Sequence, residues 1–149
     1  MADDEIKSYQ DLAVWRNSMD LAEECYRATK LFLKDEMYGM TSQIRRAAAS
    51  VAANIAEGHG REHTGSFVQS LRVAQGSLKE LETHVILAQR VGLLVSDTSN
   101  SLLTKSDRIG KMLRSLIRAL QKRVEGKKLN MTRFPISLLA FRYSLESIS

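Results

Sequence analysis

Apolar side chains recur at helical spacing in four stretches of the chain. The apolar positions of residues 67–88 alternate steps of four and three, the heptad pattern of a helix with one buried face. Residues 109–124 carry a further amphipathic face. Gly58, Gly60 and Gly92 follow the second and third stretches, as glycine does where helices end. Four helices of roughly 20 residues with short connections predict an all-α fold, an antiparallel up-down-up-down four-helix bundle with a short C-terminal extension.

The first predicted helix begins at Asp11, a favourable N-cap residue, and carries two apolar lines. The stronger line, which we expect to enter the core, consists of Leu12, Trp15, Met19, Ala22, Tyr26 and Thr29. The weaker line consists of Val14, Leu21, Cys25 and Ala28. Trp15 and Tyr26 are interpreted as core anchors rather than as residues that stack on a ligand.

The second predicted helix, which begins near Glu36, is built mainly from alanine. Residues 47–56 contain only two polar side chains, Ser50 and Asn54, so this part of the helix has no well-solvated face. Such a helix has to be covered on more than one side. We therefore expect other elements, or a second copy of the chain, to cover the alanines Ala48, Ala49, Ala52 and Ala53.

A line of polar residues follows the same helix at steps of three and four. It consists of Gln43, Arg46, Ser50, Asn54 and Glu57. One interpretation is a narrow stripe that hydrogen-bonds to neighbouring helices, because a buried polar group must be paired. The alternative is the lining of a groove or channel.

Turn and cap residues mark the remaining boundaries. Thr64 or Ser66 is the predicted N-cap of the third helix. Gly76, in the middle of that helix, predicts the close approach of another helix, because glycine otherwise costs about 1 kcal/mol relative to alanine. Residues 93–100 are expected to form a loop, and Gly126 to end the fourth helix.

The composition is that of one soluble globular domain. The 149 residues are 44% apolar and 26% charged, and a chain of this length can bury a substantial core. We divide it into an N-terminal segment (1–10), the bundle (11–126) and a tail (127–149). In the tail, Pro135 either opens a short helix or lies in disordered chain.

Three observations indicate a cytoplasmic protein without a membrane partner. Cys25 is the single cysteine and cannot form an internal disulfide, which fits a reducing compartment. The acidic start of the chain lacks the apolar centre of a signal peptide. No apolar run approaches the roughly 20 residues that a membrane span requires.

Charge is distributed unevenly, although the net charge is only +5. Residues 1–36 carry nine acids and five bases, whereas residues 98–128 carry two acids and nine bases. Six of these bases form a basic face on the fourth helix: Lys105, Arg108, Lys111, Arg114, Arg118 and Lys122. Such a face can contact the phosphates of DNA or RNA without reading sequence, since no aromatic residues interleave it. The alternative is a solvated face, or one paired with the acidic first helix of a neighbouring subunit.

Candidate catalytic residues are few, and we expect neither an enzyme nor a bound cofactor. His59 and His63 are four residues apart with Glu62 between them, but Gly60 breaks the helix that would place both imidazoles on one face for a metal. Cys25 lies on an apolar line with no activating neighbour identified. No glycine-rich phosphate loop follows a predicted strand.

The alanine-rich segment also carries a family resemblance. Residues 43–61, QIRRAAASVAANIAEGHGR, resemble the hallmark stretch of the four helix bundle protein family, a bacterial family first associated with intervening sequences of large-subunit ribosomal RNA genes. The resemblance is strong over residues 11–94 and does not cover the tail. Two departures are Phe32-Leu33, where the family often has Phe-Pro, and Ala52, where it often has proline.

The resemblance implies that the bundles assemble into a homopentameric ring. A related branch, the accessory variability determinants of diversity-generating retroelements, binds a reverse transcriptase and nucleic acid through a basic surface. The expected function is therefore that of a non-enzymatic homo-oligomer, a pentamer, that binds DNA or RNA nonspecifically, as an accessory to a reverse transcriptase or another nucleic-acid enzyme. The alternative is an assembly module without nucleic-acid binding.

Overall fold

The structure is a computed structural model that describes residues 5–132. Within this range the chain forms four α-helices, α1 (Ala13–Thr29), α2 (Met40–His59), α3 (Thr64–Arg90) and α4 (Ser96–Thr132). Short 3-10 helices, Tyr9–Asp11 and Lys34–Glu36, precede α1 and α2. These residues include no strand, and the predicted all-α four-helix bundle is confirmed. Pro135, where we expect either a short helix or disordered chain, lies outside the described residues.

The four helices pack around one hydrophobic core. α2 lies against α1 and α3, and α4 lies against the same two helices on the other side. Eight large side chains, two from each of α2 and α4, three from α3 and one from α1, are almost fully buried: Leu21, Ile44, Ile55, Leu71, Leu78, Leu81, Ile109 and Leu113. Each such side chain contributes about 1.5–3 kcal/mol by leaving water.

The line of α1 that faces the core is the weaker of the two predicted lines. Val14, Leu21, Cys25 and Ala28 are buried, together with Ser18, and complete an alternation of four and three residues. Ser18 tolerates burial because its hydroxyl donates to the carbonyl oxygen of Val14 at 2.7 Å. A serine in the middle of this line lowers its average hydrophobicity, so it ranks below the other line in the sequence.

The assignment of the stronger α1 line to the core is therefore wrong. Only its two ends, Leu12 and Thr29, are buried. Met19 and Tyr26 are 39% and 45% exposed, so Tyr26 is not a core anchor. Trp15 is half-buried at the edge of the core, where it meets Tyr9 edge to face at a centroid distance of 5.2 Å.

The first helix also starts differently from the prediction. Leu12, not Asp11, is its N-cap residue, and no side chain caps it. The carboxylate of Asp11 instead accepts hydrogen bonds from the backbone N–H groups of Lys7 and Ser8, both at 3.0 Å. Ser8 Oγ accepts from the N–H of Gln10, so the two side chains form a capping box around the preceding 3-10 helix.

α2 begins at Met40 rather than near Glu36, which lies in the short 3-10 helix before it. Glu36 still serves the helix, because its carboxylate accepts the N–H of Met40 at 3.1 Å. The helix ends at His59, and Gly60 follows as its C-cap. Gly58 therefore lies inside the last turn rather than beyond it.

The four alanines expected to be covered divide into two pairs within the described chain. Ala48 and Ala52 are buried against the core, at 1% and 3% exposure. Ala49 and Ala53 are exposed on the outer side of α2. The prediction that all four are covered thus requires a further element or a further copy of the chain at the second pair.

The predicted heptad of α3 is confirmed for residues 71–88, and Phe67 at its start is half-buried. His63 precedes the helix without a side-chain cap, so neither Thr64 nor Ser66 is the N-cap. Gly92 follows the C-cap with φ of 81°, and the N–H of Leu93 donates back to Ala88 at 2.8 Å.

The close approach predicted at Gly76 is wrong for the described chain, since a β-carbon there would meet nothing within 4 Å. The glycine at a tight helix contact is Gly58. A β-carbon on Gly58 would lie 2.7 Å from Ser70 Cβ and 2.8 Å from Phe67 Cδ2. The end of α2 and the start of α3 can approach this closely because Gly58 has no side chain.

α4 is longer at both ends than predicted. It begins at Ser96, inside the expected loop, and passes through Gly126 to Thr132. Its predicted apolar face is buried at Ile109, Leu113, Ile117 and Leu120, whereas residues 125–131 are exposed. The last turns therefore extend past the core. No described helix is long and apolar enough to cross a membrane.

Candidate functional site

The predicted basic face lies on the side of α4 that points away from the core. Five of its six cations occupy about 120° of the helix circumference, opposite the buried Ile109 and Leu113. All five are exposed to solvent: Arg108, Lys111, Arg114, Arg118 and Lys122. The arrangement presents several cationic groups in one direction.

One acid on this face neutralises one of the five cations. Asp107 accepts a hydrogen bond from Lys111 Nζ at 3.0 Å. The hydrogen bond and the charge of Lys111 lower the pKa of the Asp107 carboxyl, and Arg114 lowers it further. Among residues 5–132, no carboxylate lies within 4 Å of the other four cations: Arg108, Arg114, Arg118 and Lys122.

The sixth predicted cation, Lys105, has a different position. It lies on the flank of α4, where Nζ contacts the carboxylate of Glu24 on α1, and both side chains are partly buried. The distance along the chain, 81 residues, explains why spacing within α4 does not reveal the contact. Lys105 therefore joins two helices, and the candidate phosphate contacts begin at Arg108.

The polar stripe of α2 lies against α3 at its centre. Ser50 Oγ and Ser77 Oγ are 2.8 Å apart and share a hydrogen bond. The amide nitrogen of Asn54 donates to the carbonyl oxygen of Ser50 at 2.8 Å and to its hydroxyl at 3.1 Å. These bonds support the interpretation of the stripe as a helix–helix contact.

The two ends of the stripe are more exposed. Arg46 donates to Gln43 at 3.1 Å and lies 3.8 Å from a carboxylate oxygen of Glu80 on α3. Glu57 pairs with Arg61, four residues further on. Surface ion pairs of this kind contribute about 0–1 kcal/mol, so they orient side chains more than they stabilise the bundle.

An apolar groove of about 620 Å³ runs between α1 and α2 on the outside of the bundle. It is formed by the stronger apolar line of α1 and the outer alanines of α2. At one end, the guanidinium of Arg45 lies 4.6 Å from the ring centroid of Tyr26 and donates to Thr29 Oγ1 at 2.8 Å. The residues that line the groove are Tyr9, Trp15, Met19, Ala22, Glu23, Tyr26, Arg27, Lys30, Ala49, Ala52, Ala53 and Ala56.

The connection between α1 and α2 also carries exposed apolar side chains. Four large apolar side chains there are 55–94% exposed: Leu31, Leu33, Met37 and Tyr38. Exposed apolar surface that extends over a groove and a loop is typical of protein interaction sites. The groove and this connection are therefore candidates for contact with another molecule.

Comparison with known families is consistent with this architecture. The family of 23S rRNA-intervening sequence proteins matches residues 10–115, which is more than half of the chain. The chain belongs to this family. A comparison with curated proteins gave no match.

A solved structure of the S23 ribosomal protein family from Bacteroides thetaiotaomicron, described as a protein of unknown function, has the same fold as this intervening-sequence family member. The two are 25% identical with a TM-score of 0.66, and the match covers 70% of this chain and 98% of the other. The family match ends at residue 115, so Arg118, Lys122 and the rest of α4 lie beyond it. Two of the four cations that have no carboxylate partner among residues 5–132 are thus outside the region shared with the family.

The cysteine and histidines of this family member that the sequence singles out lie in separate environments. Cys25 is fully buried, and burial raises the pKa of its thiol to about 12, which makes it a poor nucleophile. His59 meets Phe67 edge to face at a centroid distance of 5.9 Å. Within residues 5–132, no three His, Cys, Asp or Glu side chains come together as a metal site.

The groove is the feature that the sequence interpretation missed. The sequence shows both apolar lines of α1, but only one can face the core of a single bundle. The available signal was the presence of two lines about 100° apart on α1, beside a helix whose outer surface is alanine. Together these features predict apolar surface left outside the bundle.

Proposed function

We propose that this protein is a non-enzymatic homo-oligomer, a pentamer, that binds the phosphate backbone of DNA or RNA through the outer face of α4. The observation that carries the proposal is the group of four exposed cations without a carboxylate partner among residues 5–132: Arg108, Arg114, Arg118 and Lys122. They span 14 residues of helix, about 21 Å, which is long enough to contact several consecutive phosphates.

Binding through this face is independent of sequence. Residues 105–132 contain no aromatic side chain on which a base could stack. Guanidinium and ammonium groups on an exposed helix contact phosphates in any sequence context. If four cations each neutralise one phosphate, the logarithm of the binding constant falls by about 3–4 per tenfold rise in salt concentration.

Assembly into an oligomer places several basic faces of α4 on one particle. Ala49 and Ala53, exposed beside the apolar groove, support an oligomer interface on the α1–α2 side of the bundle. Several basic faces on one particle raise the apparent affinity by avidity, by roughly 100-fold or more when they engage one strand. A cytoplasmic accessory of a reverse transcriptase or another nucleic-acid enzyme would use such a particle to hold its template.

The proposal is tested by electrophoretic mobility shift with single-stranded and double-stranded DNA and RNA over a salt series. Reversing the four cations that carry the proposal, Arg108→Glu, Arg114→Glu, Arg118→Glu and Lys122→Glu, should abolish the shift and leave the mass in light scattering unchanged. A matched control with the same change in net charge reverses four exposed cations elsewhere and should keep the shift: Lys7, Arg16, Lys34 and Arg90.

The mobility and mass data also separate the second candidate function, an assembly module without nucleic-acid binding. The groove favours that candidate, because nine of its twelve lining residues are apolar or aromatic and three, Glu23, Arg27 and Lys30, are charged. Absence of any shift at low salt would leave assembly alone. Loss of the oligomer in the reversed variant would make the basic face a subunit interface instead.

A further inference from the structure

From the register between α3 and α4 we propose that the basic face binds double-stranded nucleic acid, with a second row of contacts, Arg72 and Lys79, supplied by α3. The proposal rests on the proposed function and deepens it, because it names the class of nucleic acid and adds a second helix to the site. We call these two residues the α3 row, and the cations of the basic face the α4 row.

Two contacts show how α3 and α4 lie beside each other. Ser106 Oγ on α4 donates to a carboxylate oxygen of Glu82 on α3 at 2.7 Å. Four residues further along α4, a β-carbon on Gly110 would lie 3.6 Å from Leu78, which precedes Glu82 by four residues. The helices are therefore antiparallel, and each residue toward the end of α4 corresponds to one toward the start of α3.

This register places Arg72 beside the middle of the α4 row. Arg72 lies six residues before Leu78, so it is level with the position six residues after Gly110. That position falls between Arg114 and Arg118. The side chain of Arg72 is exposed, and none of the carboxylates in the described part of the chain lies within 4 Å of its guanidinium. Arg72 is therefore available to contact a phosphate.

Lys79, the second residue of the α3 row, lies on the same side of the helix as the first, because seven residues make nearly two turns. Its Nζ donates to a carboxylate oxygen of Glu82 at 2.8 Å, and the side chain of Lys79 is 70% exposed whereas that of Glu82 is 18% exposed. The hydrogen bond and the charge of Lys111 lower the pKa of the Asp107 carboxyl, and the charges of Arg114 and Lys79 lower it further. Lys79 therefore lies within electrostatic reach of the α4 row.

The exposed line of α3 that holds these two cations contains no acid and two glycines. At steps of four and three it runs through Gly65, Gln69, Arg72, Gly76 and Lys79. A β-carbon on either glycine would meet nothing within 4 Å in the described chain, although glycine is unfavourable within a helix. No contact among residues 5–132 therefore requires these glycines. A smooth helix surface beside cations allows a phosphate backbone to approach closely.

Two neighbouring rows of cations match two strands rather than one. The axes of packed helices lie about 8–10 Å apart, and the two grooves of B-DNA are about 6 and 12 Å wide. Each row can therefore follow the phosphates of one strand along the edge of a groove. A single strand can follow only one row at a time, so it gains little from the second row. We therefore expect the surface to prefer a duplex.

Fluorescence anisotropy with a labelled duplex, and with one of its strands alone, tests the proposal in the full-length chain over a salt series. The variant Arg72→Gln/Lys79→Gln removes the α3 row. We expect it to bind the duplex about tenfold more weakly, with a salt slope smaller by about 2, because two phosphate contacts are lost. Single-strand binding should change by less than about twofold. The matched control Arg16→Gln/Lys34→Gln removes two exposed cations elsewhere and should alter neither.

Substitutions at Gly76 provide a second test that keeps the fold, since lysine, glutamine and glutamate all favour a helix more than glycine does. Gly76→Lys should bind the duplex most tightly and Gly76→Glu most weakly, about tenfold apart, with Gly76→Gln between them. Single-strand binding should differ far less among the three variants. Duplex affinity that does not follow the charge at this position would overturn the α3 row.

Other binding results would also overturn the proposal. Unchanged duplex binding by Arg72→Gln/Lys79→Gln, while reversal of the α4 row abolishes the shift, would remove the α3 row and leave the proposed function intact. Equal losses for the duplex and the single strand would contradict the preference for a duplex. No binding of either by the unaltered protein would remove the proposed function and this inference together. The measurements are made with DNA and RNA duplexes, and the duplex whose binding responds to the α3 variants is the one that the surface recognises.

Discussion

Gly58 offers a sharp test of the packing between α2 and α3. The substitution Gly58→Ala introduces a β-carbon 2.7 Å from Ser70 Cβ and 2.8 Å from Phe67 Cδ2. Carbon atoms in contact lie about 3.5–4.0 Å apart, so α2 and α3 would have to separate by several tenths of an ångström or more. Phe67 can rotate away, but Ser70 Cβ is fixed to the backbone of α3.

Two opposing effects set the size of the change. Alanine is favoured over glycine within a helix by about 1 kcal/mol. Overpacking a tight contact costs about 1–3 kcal/mol, and the two short distances place Gly58→Ala near the upper limit. The net expectation is a loss of about 2 kcal/mol in the free energy of unfolding. Helix propensity alone predicts the opposite, a rise in the free energy of unfolding.

Gly76→Ala provides the matched control in α3. Its β-carbon meets nothing within 4 Å in the described chain, so only the helix propensity acts, and stability should rise by about 1 kcal/mol. Urea unfolding monitored by circular dichroism, at one protein concentration for all variants, measures the free energy of unfolding of Gly58→Ala and of Gly76→Ala. Gly58→Ala at or above wild-type stability would refute the packing argument. A loss at Gly76→Ala would place another surface against α3.

Two further predictions concern Cys25 and Gly92. Iodoacetamide at pH 8 should label Cys25 only as the chain unfolds, because burial raises its pKa to about 12; rapid labelling of the native protein would contradict this burial. Because the unfolded thiol ionises near pH 8.5 and the folded one does not, Cys25 should contribute stability below that pH and lose it as pH rises toward 12. Gly92→Ala should lower the free energy of unfolding by about 1 kcal/mol, since φ of 81° strains alanine, whereas Gly65→Ala, with open space around it, should not.

The α3 heptad could be predicted from sequence because every position of its buried line from Leu71 to Ala88 is apolar. Which of the two apolar lines of α1 faces the core could not, because Ser18 stands at the centre of the buried line and its burial depends on a backbone hydrogen bond within the helix. Hydrophobicity ranks the residues of a helix, but the neighbouring helices decide which face is covered. On α1 the larger aromatic residues stay at the rim, and the core takes the line with the smaller average side chain.

Glycine and ion pairs show the same limit. Gly58, Gly76 and Gly126 all interrupt a helical pattern, yet only Gly58 is crowded, and Gly126 lies within a helix that continues past it. In the sequence all three look alike, as a glycine within an amphipathic pattern. They differ in how close another helix lies, which only the structure shows. Likewise the Lys111–Asp107 pair is visible at a spacing of four residues, whereas the contact of Lys105 with Glu24 depends on the fold.

The separation of the two candidate surfaces bears on how they act together. α1 and α2 form the groove, whereas the basic face points outward from α4, away from the core. A copy bound along the groove would cover Ala49 and Ala53, and the proposed phosphate contacts on α4 are not among the residues that line the groove. Assembly and phosphate contact are then compatible in one particle, because neither uses side chains of the other. The same separation makes the variants informative. A substitution on the outer face of α4 that disrupts assembly would contradict this geometry. A substitution in the groove that abolishes nucleic-acid binding by an isolated chain would also contradict it.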